Sequence, residues 1–251
     1  MPINQVSIDP SYNGPPGSGN GGYACGLAAG AFTHAPAEVT LRKPPPLSVP
    51  MAVVATAAGA ELRDGETVVA TIAAWDGLLD VPAPPSVAEV EAAVSNFDLA
   101  SYADPHPFPT CFTCGPGRAP GSGLGIYPGR THEGQGVIWH WTPDPSLDEG
   151  DGRVADQIMW AALDCPGAHT WLEDDAAGIN SPAVLGRLAA RIDRRAAIGS
   201  RYVTMGWQIG QNGRKLQSGT AVWSEDGDLQ ALARATWIVL DPEQAAAFTA
   251  I

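Results

Sequence analysis

The chain has 251 residues, 45% of them hydrophobic, and a formal net charge of −13 from 14 basic and 27 acidic side chains. That length allows one large domain or two modest ones. The acidic balance argues against nucleic acid or an anionic membrane as the main partner, because both are bound through basic surface; a small anionic ligand needs only a local basic cluster. No run approaches the roughly 20 apolar residues of a membrane span. The first 14 residues have neither the basic start nor the apolar core of a secretory signal, so the expected compartment is the cytoplasm. Of the four cysteines only Cys111 and Cys114 are close in sequence, which does not look like a disulfide framework.

In chain order, residues 3–8 alternate weakly and predict a short strand. Residues 13–22, NGPPGSGNGG, predict a loop, since Pro and Gly defeat both regular structures. A helix of Gly, Ala and Cys follows over 21–32. Its small residues cost helix propensity, so burial against a closely packed sheet backbone is expected to hold it. Strands are expected near 38–43, 51–63 and 66–75, with a turn at Asp64–Gly65. Ser86, followed three residues later by Glu89, predicts a capped helix over 86–97. The Pro/Gly-rich stretch around Cys111 and Cys114 predicts irregular structure. A strand at 136–142, a helix from about 154 to 166, a polar loop at 173–182 and strands near 187–195, 201–211, 214–224 and 229–240 complete the chain. Asn212–Gly213 and Asp226–Gly227 are hairpin turn signals.

Helix-then-strands is written twice. Leu47 to Val69 spans the same distance as Ile198 to Thr220, and a basic pair (Arg42–Lys43, Arg194–Arg195) precedes each anchor. A duplication of this size predicts two like modules rather than a solenoid. The expected boundaries are 1–80, a linker at 81–134, and 135–251. A helix beside antiparallel strands, twice, predicts an α+β fold with each helix laid on a curved sheet.

Several segments resemble the hotdog thioesterase superfamily, and the tandem layout resembles its double-hotdog acyl-CoA thioesterases. DQIMWAALD (156–164) is similar to that family's central helix with its mid-helix Asp. ARIDRR (190–195) is similar to its Ile-Asp-His strand motif. LRKPPPL, followed by a strand, an Arg-Asp-Gly turn and another strand, is similar to its first module. The resemblance implies hydrolysis of an acyl-CoA thioester without a cofactor. It places the catalytic Asp at Asp164, while Arg191 and Arg194 stand where the family has a hydroxyl and a His. The family's last-strand Gln falls near Thr236. Asn20–Gly21–Gly22 resembles the His-Gly-Gly helix start of related single-module enzymes, whose backbone amide polarises the thioester carbonyl.

Thioester hydrolysis needs a carboxylate to activate water or attack the carbonyl, and donors for the developing oxyanion. At helical spacing Gln157, Trp160 and Asp164 share one stripe, so Gln157 and Thr236 are read as polar groups able to bind a water near Asp164. The first-turn amides near Gly21–Gly22 or Asp156–Gln157 are candidate oxyanion donors. Asp156 also reads as a first-turn acid of its helix. Asp164, just before Cys165–Pro166–Gly167, also reads as a helix-end residue bonding a loop. Arg191 and Arg194, within a local cluster of arginines, are candidates for coenzyme A phosphates or for a solvated face. Cys111-x-x-Cys114 with His106 upstream is a candidate metal site, short of the four ligands zinc takes; the other reading is apolar filling, as for Cys25 and Cys165. The stretch 17–22 also matches G-x-G-x-x-G, but no acidic residue ends the next strand to hold a ribose. The alternative function is a non-catalytic acyl-CoA or lipid-binding protein, and self-association is left open.

Overall fold

The computed structural model describes residues 4–32, 36–104, 106–131 and 136–249. The strands are β1 (Asn4–Val6), β2 (Ala37–Leu41), β3 (Met51–Thr56), β4 (Gly59–Asp64), β5 (Thr67–Ala74), β6 (Gly129–Arg130), β7 (Gly136–Trp141), β8 (Ala183–Ile192), β9 (Tyr202–Asn212), β10 (Lys215–Ser224) and β11 (Leu229–Val239). The helices are α1 (Gly21–Gly30), α2 (Val87–Ser95), α3 (Leu99–Ala103), α4 (Asp156–Ala162), α5 (Cys165–Leu172) and α6 (Pro242–Thr249).

All eleven strands form one antiparallel sheet in the order β1-β3-β4-β5-β2-β8-β11-β10-β9-β7-β6. The two halves meet where β2 pairs with β8, from Ala37 opposite Ala190 to Thr40 opposite Arg187. Outward from that seam the order is β2-β5-β4-β3-β1 on one side and β8-β11-β10-β9-β7-β6 on the other, so, the edge strand β6 apart, each helix-led half lays down its strands in the same sequence. One apolar core runs across the seam and includes Tyr23, Cys25, Val39, Met159, Leu163, Leu188 and Trp237.

The composition of α1 has a cause in addition to the one expected. A Cβ on Gly22 would stand 2.5 Å from the Trp160 carbonyl oxygen, and one on Gly26 would stand 2.5 Å from Gln157 Cα. The backbone of α4 is thus a second partner that needs small residues, beside the sheet, where a Cβ on Gly21 would stand 2.9 Å from Leu185 Cβ of β8. Two glycines one turn apart let two helix backbones approach closely.

Most hairpins follow the turn signals. Gly213 (φ 57°) and Gly227 (φ 81°) occupy the left-handed region that their turns require. The expected single strand over 51–63 is instead two strands joined at Ala57–Ala58, a turn whose residues carry no turn signal. Helix α2 begins with the expected capping box between Ser86 and Glu89, and its Val90 and Ala93 pack on Ile138 of β7. The expected helix over 154–166 breaks and restarts. Pro166 has no N–H to give and its ring would meet the carbonyl four residues back, so α4 stops at Ala162. In the first turn of α5 the same proline is harmless. Asp164 is left at the elbow, with φ −75° and ψ −87°.

Gly26→Ala is expected to destabilise the chain by about 1–3 kcal/mol, because the new methyl meets backbone that must shift. Gly30→Ala, at the open end of the same helix with nothing within 4 Å, is expected to be neutral or stabilising by up to about 1 kcal/mol. Urea unfolding midpoints of the two variants check the contrast; equal losses would contradict the close helix crossing.

Candidate active site

The elbow between α4 and α5 faces the N-terminus of α1, and a cavity of about 480 Å³ opens beside them. Asp164, Cys165, Ala168, His169 and Leu172 form one wall. Ser18–Gly21 forms a second, the 106–114 segment a third, and Leu185, Trp237 and Ile238 line the floor from β8 and β11. Arg42 and Lys43 stand exposed at its edge.

Asp164 is only 2% exposed. Its Oδ2 accepts a 2.9 Å hydrogen bond from the Gly22 amide, across the two halves of the chain. Its Oδ1 has no hydrogen-bond partner. Desolvation raises its carboxyl to about 7, against the Gly22 amide, which favours the charged form. A carboxyl poised there suits general-base work at neutral pH. Gly22 makes the contact because it has no side chain: a Cβ would fall 2.7 Å from Asp164 Cβ.

Asn20 caps α1, its Oδ1 accepting from the Tyr23 amide at 2.9 Å. Its Nδ2 donates to Thr113 Oγ1 at 3.3 Å, and Thr113 Oγ1 donates to the Ala161 carbonyl at 2.9 Å. This chain of bonds ties α1, the 111–114 segment and α4 together behind Asp164.

Asn20 and Gly21 thus border the cavity, and Gly22 reaches Asp164. The other residues expected for catalysis or substrate binding do not line it. Asp156 is the exposed first residue of α4, in the first-turn role weighed for it, with Ala155 as the cap. Gln157 packs against Gly26 on α1. The helix break removes the stripe that would have carried it to Asp164. Thr236 lies opposite the exposed Arg187, and it is the next residue, Trp237, that enters the cavity. Arg191 is held by Asp193 and by the Gly77 carbonyl at 2.9 Å. Arg194 is exposed, 3.8 Å from Asp228. Of the two basic pairs, it is the first, Arg42–Lys43, that reaches the mouth.

Beside Asp164 lies a cluster that reasoning from sequence only partly reached. Cys111, Cys114 and Cys165 bring their sulfurs within 4.8 Å of one another, and His106, Cys114 and His169 group equally closely. Cys165, expected as core, stands 3.7 Å from Cys111 Sγ. The signal for it was present: Cys165 and His169 are four apart and share a helix face. The Tyr102 hydroxyl sits among these groups, 2.9 Å from His106 Nε2 and 3.1 Å from His169 Nε2. Burial and the neighbouring His169 lower His106 to about 4, so it is neutral.

Asp164→Asn keeps an acceptor for the Gly22 amide and is expected to retain stability to within about 1 kcal/mol, whereas Asp164→Ala orphans a buried N–H and should cost about 1–3 kcal/mol more. Thermal unfolding of the two variants checks the difference; equal stabilities would mean that the bond across the halves contributes nothing.

No protein-family model matches the chain, and no curated protein matches it by sequence. Solved structures do. The tesB protein of Mycobacterium avium subsp. paratuberculosis aligns over 94% of this chain and 92% of its own, with TM-score 0.60 and 12% identity. An acyl-CoA thioesterase II, TesB2, from Mycobacterium marinum aligns over 95% and 93%, with TM-score 0.58 and 10% identity. A hot dog fold protein of unknown function from Alicyclobacillus acidocaldarius aligns over 95% and 93%, with TM-score 0.57 and 15% identity. At such identities the likeness is one of fold, and it extends over nearly the whole chain: the protein shares with these structures the hot dog fold, an antiparallel sheet with packed helices.

Proposed function

We propose that the protein is a double-hotdog acyl-CoA thioesterase. Its modules, residues 1–80 and 135–251 joined by 81–134, arise from internal duplication and share one site at their interface. The observation that carries the reading is Asp164: a buried carboxyl at a cavity wall, one oxygen fixed by an amide of the opposite half and the other without a partner. In this reading Oδ1 takes a proton from water as the water attacks the thioester carbon. The carbonyl oxygen gains the charge, and collapse of the tetrahedral intermediate expels the thiolate of coenzyme A. The Gly21 amide, in the first turn of α1 where N–H groups lack intrahelical partners, serves the oxyanion. The apolar floor of Leu185, Trp237 and Ile238 takes the acyl group. Arg42 and Lys43 at the mouth take coenzyme A phosphate on an otherwise acidic chain. The whole-chain likeness in fold to the mycobacterial tesB protein and acyl-CoA thioesterase II TesB2 agrees with this substrate class.

A second reading is acyl-CoA binding without turnover. One observation favours it: the Gly22 amide, the donor expected for the thioester oxygen, is already bonded to Asp164. A panel of acyl-CoAs with a free-thiol readout separates the two. Hydrolysis is expected for at least one chain length in the wild type, and Asp164→Asn should lower kcat by about 10²–10⁴-fold. Tight binding with no thiol released would support the second reading, and undiminished turnover in the variant would remove Asp164 from the mechanism.

Replacing Arg42 and Lys43 together by Ala should raise KM for acyl-CoA by about tenfold or more at low salt, the effect shrinking as salt screens the phosphates. The corresponding acyl-pantetheine, which lacks the phosphates, should be hydrolysed equally by both proteins. A matched loss on both substrates would contradict a phosphate role.

A further inference from the structure

We propose that Cys111, Cys114, Cys165 and His169 bind a zinc ion that clamps the 111–114 segment to helix α5. A tetrahedral zinc with Zn–S bonds of about 2.3 Å sets its sulfurs about 3.8 Å apart. The Cys111 and Cys165 sulfurs are 3.7 Å apart, and Cys114 completes a buried trio within 4.8 Å.

Asn20 Nδ2 approaches the Cys111 sulfur at 3.7 Å and offers it a hydrogen-bond donor. The turn closes with the Gly115 amide donating to the Cys111 carbonyl at 2.9 Å. A Cβ on Gly115 would meet the Cys111 nitrogen at 2.5 Å and the Pro109 carbonyl oxygen at 2.6 Å, so this Cys-x-x-Cys-Gly turn needs its glycine.

The fourth ligand follows from the histidine tautomers, read from their hydrogen-bond partners. His106 Nδ1 accepts from the Phe108 amide at 3.0 Å. Its proton is therefore on Nε2, which donates to the Tyr102 hydroxyl. That leaves His106 no lone pair for a metal, and the candidate set Cys111, Cys114 and His106 loses its histidine. His169 is opposite. Its Nδ1 stands 3.4 Å from Glu173 Oε1, without good hydrogen-bond geometry but facing a carboxylate. The proton belongs there, and Nε2 keeps its lone pair. A carboxylate behind the outer nitrogen is the usual support of a metal-bound imidazole. On binding, Nε2 exchanges the Tyr102 hydroxyl for zinc, and that hydroxyl keeps its 3.2 Å bond to the Cys114 carbonyl.

Three thiolates and a neutral imidazole give a closed, structural centre of net charge −1. Each thiol gives up its proton as its sulfur binds, and no electron is transferred. Cys165 directly follows Asp164, so the ion would anchor the elbow without taking part in hydrolysis.

The test is metal content and binding of the full chain, independent of any activity. Protein from zinc-supplemented medium, purified without chelator, is expected to carry about one zinc per chain by elemental analysis. Cys114→Ser and His169→Ala should each lower it several-fold. Stripped, reduced wild-type protein titrated with zinc in weak buffer should release about three protons per ion. Cobalt in its place should give the intense visible bands of a tetrahedral thiolate site. The wild-type titrations need no variant to fold. The proposal is overturned if the reduced wild type neither retains nor takes up zinc, if both variants hold as much as wild type, or if anaerobically purified protein has lost two hydrogens to a Cys111–Cys165 disulfide.

Discussion

The hydrogen bond from the Gly22 amide to Asp164 Oδ2 joins the two halves of the molecule at the point where chemistry is proposed. It exists only because two helix backbones can touch. Gly22 and Gly26 offer α4 a surface without side chains, and Pro166 ends α4 in time to leave Asp164 at a corner rather than inside a helical stripe. Any side chain at Gly22 would separate the amide from the carboxylate. Any residue that let α4 run on would rotate the carboxylate away.

The same constraint shapes the electrostatics. A carboxyl at 2% exposure is costly to ionise, and the Gly22 amide returns only part of that cost. The balance leaves a carboxyl raised to about 7, with one oxygen bonded to the Gly22 amide and the other buried without a partner. Asn20, Thr113 and the Ala161 carbonyl hold the corner from behind, and the cysteine cluster continues that bracing on the other side of Cys165.

Much of this was legible in the sequence where local chemistry decides. The Asn212–Gly213 and Asp226–Gly227 hairpins, the Ser86–Glu89 capping box and the doubled helix-then-strands order are written in residues that have one strong local preference. Resemblance to the hotdog thioesterases pointed to Asp164 and to the Asn20–Gly21–Gly22 helix start. What was not legible depends on tertiary contact. Helical periodicity carried Gln157 to Asp164 because it took the helix as continuous, while Pro166 fitted equally well as a stop or as a first-turn residue. Thr236 sits on a strand with a bulge at Thr236/Trp237, and alternation cannot say which of two neighbours faces inward. Ala57–Ala58 turns a hairpin without turn residues, since Gly59 beyond it supplies the unusual φ of 142°. The pairing of Cys165 with Cys111 spans 54 residues, and only the packing of α5 against the 106–114 segment reveals it.

The central claim is that a ligand entering between the halves meets the free oxygen of Asp164. A crystal structure with a non-hydrolysable acyl-CoA thioether analogue tests it most directly. The account predicts the carbon that replaces the thioester carbonyl within reach of Asp164 Oδ1, by one water or by direct contact, with the phosphates beside Arg42 and Lys43. An analogue seated elsewhere, with Asp164 sealed from it, would contradict the account.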